Sequence, residues 1–222
     1  MKVMLFLEML FTCIFFSILS LCNAESITYG STVKLADVNH PTWFLYSLEV
    51  QWSGGPSGEN IVTVIEETAN PQVYWSVYGS NASGEPIACN ANIVLRHAAS
   101  GKSLKVSKSK SRLSSRDPGV VADIAGVLDG DVFTVECDSD EWKMNEHVRF
   151  KHAASGLYLK ISEMYTQYNC PRCPIVGQKE VTVGDNRSQW SVEGGVILKN
   201  TQEVKDDTRD DNRDEDDVRD EL

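Results

Sequence analysis

The sequence predicts an all-β protein built from three copies of one four-stranded unit. A phrase is repeated: Ile93 to Val106 reads IVLRHAASGKSLKV, and Val148 to Ile161 reads VRFKHAASGLYLKI. Each copy ends at an aromatic followed by a polar residue and Val, at Phe133-Thr134-Val135 and Trp190-Ser191-Val192. A weaker third copy runs from Val33-Lys34-Leu35 to Trp75-Ser76-Val77. From Leu35, Leu95 and Phe150 to the closing aromatic the distances are 40, 38 and 40 residues. A unit this small cannot bury its apolar face alone, so the copies must pack against one another.

Each phrase reads as a β-hairpin. Ile93, Leu95 and His97 alternate with Val94 and Arg96, and Phe150 and His152 alternate with Arg149 and Lys151. Ala-Ala-Ser-Gly follows, a turn ending on a glycine that takes positive φ without strain. The chain returns as Leu104-Lys105-Val106 and Leu159-Lys160-Ile161, apolar inward and Lys outward. A later pair of short strands in each unit ends at Trp75, Phe133 and Trp190. Four strands in each of three units give about twelve strands around a pseudo-threefold axis. That is the layout of a β-trefoil, a barrel that removes its edges by closure. The repeats are expected at about 27–80, 86–138 and 143–198, within one domain over 27–199.

The two ends read differently. Lys2 precedes an apolar run from Met9 to Leu21, and Cys22-Asn23-Ala24 ends in a small residue, so residues 1–24 are expected to be a signal peptide. The run is short for a spanning helix and Glu8 interrupts its longer extension, so no membrane insertion is expected. Residues 200–222 form an acidic tail too poor in apolar side chains to build a core. From Thr201 onward there are eleven acidic and four basic side chains, a net of −7 out of the −11 of the whole chain. Arg219-Asp220-Glu221-Leu222 closes the sequence and resembles the address that returns luminal proteins to the endoplasmic reticulum.

The acidic balance argues against a nucleic-acid partner. Lys102 to Arg116 carries six cations among its serines but no aromatic on which a base would stack. It reads as a solvated hairpin or a docking strip for acidic partners or the tail.

These pieces together resemble the MIR domain of protein O-mannosyltransferases, inositol-trisphosphate and ryanodine receptors, and the stromal cell-derived factor 2 proteins. The resemblance covers residues 27–199 and is carried by Gly30-Ser31-Thr32-Val33-Lys34-Leu35, Tyr74-Trp75, Pro86-Ile87-Ala88-Cys89, Val148-Arg149-Phe150-Lys151-His152 and Gly177-Gln178-Lys179-Glu180-Val181. The C-terminal signal points to the factor 2-like branch. The resemblance implies a protein of the endoplasmic-reticulum lumen that joins a DnaJ-type co-chaperone and its Hsp70, helps keep misfolded clients soluble, and is returned by the retrieval-signal receptor. It implies no cofactor and no catalysis. One stretch departs: the family's Leu-His-Ser-His-Asp-Val is here Leu45-Tyr46-Ser47-Leu48-Glu49-Val50, with both imidazoles gone.

Outside the signal, where Cys13 and Cys22 lie, four cysteines remain and allow three pairings. A Cys89–Cys137 bridge would staple the second unit shut, and these positions match the family's disulfide. Cys170 and Cys173 then form a possible pair in a Cys-Pro-Arg-Cys loop that the family usually lacks. A thiol–disulfide role for them is a lesser alternative, because redox motifs of this spacing normally open a helix.

His97 and His152 read as rings bonded to their own hairpin turns, and His40 and His147 as surface residues. Asn81 and Asn186 open glycosylation sequons. Trp43, Phe44 and Trp52 are the candidate partner-binding side chains. No nucleophile beside a base, phosphate loop or metal cluster is present in the sequence. The alternative function is a carbohydrate-binding module acting with O-mannosylation machinery. That would call for an aromatic platform beside Asp or Asn at matching places in each unit, and the sequence shows none.

Overall fold

Alternation in sequence becomes alternation in burial. In Arg149–His152, Phe150 and His152 are buried while Arg149 and Lys151 lie at the rim. The computed structural model describes residues 24–52, 58–66, 69–114, 116–124, 131–185 and 188–200. Residues 1–23 of the expected signal peptide, Asn186 and the Arg219–Leu222 ending lie outside the described residues.

Twelve strands follow in order. The first four are β1 (Thr32–Asp37), β2 (His40–Leu48), β3 (Asn60–Ile65) and β4 (Tyr74–Tyr78). Then come β5 (Asn92–His97), β6 (Ser103–Lys110), β7 (Pro118–Asp123) and β8 (Phe133–Glu136). The last are β9 (Arg149–His152), β10 (Tyr158–Met164), β11 (Lys179–Gly184) and β12 (Trp190–Val196). A 3-10 turn, Pro71–Val73, starts where the Asn70 side chain accepts from Gln72 N.

The pairing closes on itself. β1 pairs with β4, β4 with β5, β5 with β8, and β8 with β9. β12 pairs back to β1, and a bridge between Val148 and Trp190 joins it to the start of β9. The hairpins β2–β3, β6–β7 and β10–β11 stand on this ring and touch through β3–β7, β7–β11 and β11–β3. The sheet forms a closed barrel with ten strands on one circuit. Among the described residues no helix is long and apolar enough to cross a membrane.

The core fills the ring. Leu35, Leu95 and Phe150, and the closing aromatics Trp75, Phe133 and Trp190, are all fully buried. Two of these aromatics use a polar handle in the same way. Trp75 Nε1 donates to Leu45 O at 3.0 Å, and Trp190 Nε1 donates to Leu159 O at 3.1 Å. Phe133 has no N–H to offer. Gly101 and Gly156 close the two Ala-Ala-Ser-Gly turns at φ +68° and +72°, where a side chain would be strained.

The histidines are more deeply set than half-buried turn fixtures. His97 is fully buried and His152 is 7% exposed. Each faces a closing aromatic across the ladder, His97 opposite Trp75 and His152 opposite Phe133. Each Nδ1 bonds a turn serine at 2.8 Å, Ser100 and Ser155 respectively. His97 Nε2 also donates to the Gln72 carbonyl at 2.9 Å, which places the proton on that nitrogen. Burial holds the His97 pKa below its ordinary value, against the opposite pull of that bond and of Glu49. In the first unit Asp37 takes the histidine's place opposite Trp190, and His40 takes the serine's, with Nδ1 2.7 Å from Asp37 Oδ2.

Candidate binding pocket at the hairpin end

A polar pocket sits where the three hairpins meet. β3 brings Val62, β7 brings Val120 and Val121, and β11 brings Val181, which together make an apolar floor. Glu59 precedes β3, and Ser107, Ser109 and Lys110 come from the outer half of β6. Trp52, Arg112 and Tyr165 form the remaining wall.

Glu180 organises that wall. It is 3% exposed, and its carboxylate accepts three bonds. Tyr165 OH donates to Oε1 at 2.9 Å, Arg112 N donates to Oε1 at 2.8 Å, and Ser111 Oγ donates to Oε2 at 2.5 Å. A buried carboxylate requires such donors. Burial pushes the Tyr165 hydroxyl far above its ordinary range and the neighbouring Glu180 raises it further, so the phenol remains a donor. The Tyr165 ring lies 5.8 Å from that of Trp52, and the Arg112 guanidinium stands 4.9 Å from the Trp52 centroid. Behind them Tyr165 packs with Ile61 and Ile175, against which Leu48, Leu113, Cys170 and Cys173 are seated.

The sequence candidates fall on both sides of this geometry. Trp52 is in the pocket wall. Trp43 is half-buried elsewhere, with the Lys179 ammonium 4.6 Å from its ring centroid. Phe44 is 3% exposed, so its candidacy as a partner-binding side chain is corrected: it belongs to a small core with Ala36, Tyr46, Ile65 and Val73. Its strand is covered on both faces, which the sequence of one strand does not reveal.

Cys89 is disulfide-bonded to Cys137 and Cys170 to Cys173, with Cα separations of 5.4 and 5.5 Å. The second bridge backs the pocket wall and does not open into the pocket. Asn81 is exposed, as is His147. Among the described residues no three His, Cys, Asp or Glu side chains converge as metal ligands.

Glu59, Tyr165 and Glu180 were not singled out from the sequence. Glu59 stands just before β3, while Tyr165 and Glu180 lie fifteen residues apart on the β10–β11 hairpin, and no local motif joins them. The one sequence signal was Glu180 itself, a carboxylate between Lys179 and the apolar run of β11.

Aromatic faces, a carboxylate rim, hydroxyls and two cations around a valine floor suit reversible recognition of a small polar group. They do not pair a nucleophile with a base. No protein-family model matches the chain. Known structures share the fold: a Caenorhabditis elegans protein of unknown function at TM-score 0.70 and 27% identity, covering 78% of this chain and 99% of that one. The stromal cell-derived factor 2-like protein of Arabidopsis thaliana follows at 0.65 and 23%, covering 78% and 98%. The S. cerevisiae protein O-mannosyltransferase Pmt1–Pmt2 complex, bound to the sugar donor, matches at 0.64 and 19%, over 78% of this chain and 26% of that one. Among curated sequences, human stromal cell-derived factor 2 is 31% identical over 188 residues, covering 81% of this chain and 85% of the relative. A stromal cell-derived factor 2-like protein of Dictyostelium discoideum is 34% identical over 184 residues, covering 78% and 84%. Identity of this level along nearly the whole barrel, on a shared fold, places the chain in the stromal cell-derived factor 2 family.

Proposed function

We propose that this protein is a non-catalytic accessory of protein folding in the endoplasmic-reticulum lumen, working in a complex with a DnaJ-type co-chaperone and a luminal Hsp70. Its domain is a β-trefoil of three MIR repeats. The observation that carries the reading is the family match along the barrel. The trefoil is supported by the ring of six strands and the three hairpins that meet at one end. The apolar leader and the Arg-Asp-Glu-Leu ending support the luminal site. Binding of misfolded clients and partners is surface recognition, with no bond made or broken.

The test is affinity purification of the tagged protein from luminal extract, followed by mass spectrometry. Co-recovery of a DnaJ-type protein and Hsp70 at near-equal amounts is the expected result. Recovery of neither, under conditions that preserve known luminal complexes, overturns the reading.

A second reading is favoured by one observation. The Trp52–Tyr165 wall beside Glu59 and Ser107 has the donors, acceptors and ring faces on which a sugar would seat. It occurs once, with no copy at matching places in the other units among the described residues. Retention on a mannose column, release by free mannose, and loss of retention in Trp52→Ala would support it.

A further inference from the structure

Four cations lie close together in the sequence from Lys108 to Arg116, and two of them, Lys110 and Arg112, line the pocket. Lys108 and Lys110 are exposed at the outer end of β6, and Arg112 and Arg116 are exposed on the connection to β7. None of the four is in an ion pair among the described residues, whereas nearby Lys105 pairs with Asp123 and Lys160 with Asp117. The carboxylates facing them are few. Glu59 accepts from Ser107, Glu180 is buried under three donors, and Asp117 is held by Lys160. The strip is a concentration of positive charge on a protein whose residues up to Asn200 are net acidic.

We infer that this strip is the docking site of the chain's own acidic segment, residues 201–222. The segment repeats one basic residue followed by two acidic ones: Lys205-Asp206-Asp207, Arg209-Asp210-Asp211, Arg213-Asp214-Glu215 and Arg219-Asp220-Glu221. At the point of departure, Asn200, the neighbouring Lys199 is already paired with Glu25, and Glu85 lies beside them. Covalent reach allows the contact. Twenty-odd residues span up to about 70 Å when extended, and a compact domain of this size is roughly 40 Å across. Salt controls the attraction, since the screening length falls from about 8 Å at physiological ionic strength to about 3 Å at 1 M. A docked tail covers the Trp52–Arg112 rim and draws in the residues of the retrieval-like ending. An acidic segment of a partner must then displace it.

The test is zero-length carbodiimide cross-linking of the full secreted chain, which joins carboxylates to lysines they touch, with mapping by mass spectrometry. At low salt, tail carboxylates are expected on Lys108 and Lys110 several-fold more often than on Lys143 and Lys199. That preference should vanish at 1 M salt and be independent of protein concentration. The Arg112→Gln/Arg116→Gln variant keeps both lysines, and in it the yield at Lys108 and Lys110 should drop several-fold. Equal yields at Lys143 and Lys199, insensitivity to salt, or a yield that grows with concentration overturns the proposal. So does an unchanged map in the double variant.

Discussion

Trp75 and Leu45 are joined by an indole N–H to carbonyl bond of 3.0 Å that ties the closing strand of the first unit to its own hairpin. The carbonyl lies in the core, out of reach of water. Trp75→Phe keeps the ring packing and leaves that acceptor unpaired. It should lower stability by about 1–3 kcal/mol. Trp75→Ala, which also opens a cavity, should cost about 3–5 kcal/mol. Urea unfolding of both variants checks the order. Phe133, the second unit's counterpart, has no such bond, so Phe133→Trp is expected to gain nothing.

His97 makes stability depend on pH. Above pH 6.5 the ring is neutral in both the folded and the unfolded chain. Below it the unfolded ring takes up a proton while the buried one, held below its ordinary pKa, does not. Stability is therefore complete above pH 6.5 and is lost as pH falls from there through the folded-state pKa. His97→Gln should flatten the fall in unfolding free energy between pH 7 and pH 5. An equally steep fall in the variant would assign the effect to other groups.

The two disulfides should differ in weight. The sequence separations are 48 for Cys89–Cys137 and 3 for Cys170–Cys173. In a chain-entropy account the first contributes about 4 kcal/mol and the second about 2 kcal/mol. Paired Cys→Ser variants, compared by chemical denaturation, should lose stability in that order. Loss of the short bridge should also alter Trp52 emission, because both of its cysteines pack on the cluster that includes Trp52.

Glu180 is expected to be a structural keystone of the pocket. Glu180→Ala strands the Tyr165 hydroxyl, the Arg112 amide and the Ser111 hydroxyl. Bonds to a charged acceptor are worth about 1.5–3 kcal/mol each, so the loss should be at least about 3 kcal/mol unless water enters. Tyr165→Phe removes one donor and should cost less. Ultraviolet titration should show Tyr165 and Tyr29, both raised by burial, ionising later than the other tyrosines, and the Tyr165 share of that late signal should disappear in Tyr165→Phe.

Much of the barrel could be read from the chain because it rests on period-two alternation. Leu95, Phe150 and the closing aromatics sit where their spacing puts them. The hairpin end is different, because its strands are covered on both faces. There Phe44 looks like a surface anchor and is core, while Glu180 looks like a surface carboxylate and is buried. The exchange of Asp37 and His40 for the histidine and serine of the other units was hidden for a related reason. It preserves a hydrogen bond, not a residue type, and only the ladder opposite Trp190 exposes it. The pocket needed three distant hairpins to converge, which no single stretch records. The Cys-Pro-Arg-Cys loop was legible as a pair and becomes, in space, the backing of that pocket.

The pairing of β1 with β12 delays closure of the barrel until the end of its synthesis. The first strand of the barrel pairs with β2 and β4 soon after it is made, but its remaining neighbour, β12, is the last strand to be translated. Until β12 arrives, that edge of Thr32–Asp37 stands open in the nascent chain, and an unpaired edge invites wrong partners. A protein that we propose tends the folding of others is thus, during its own birth, a client.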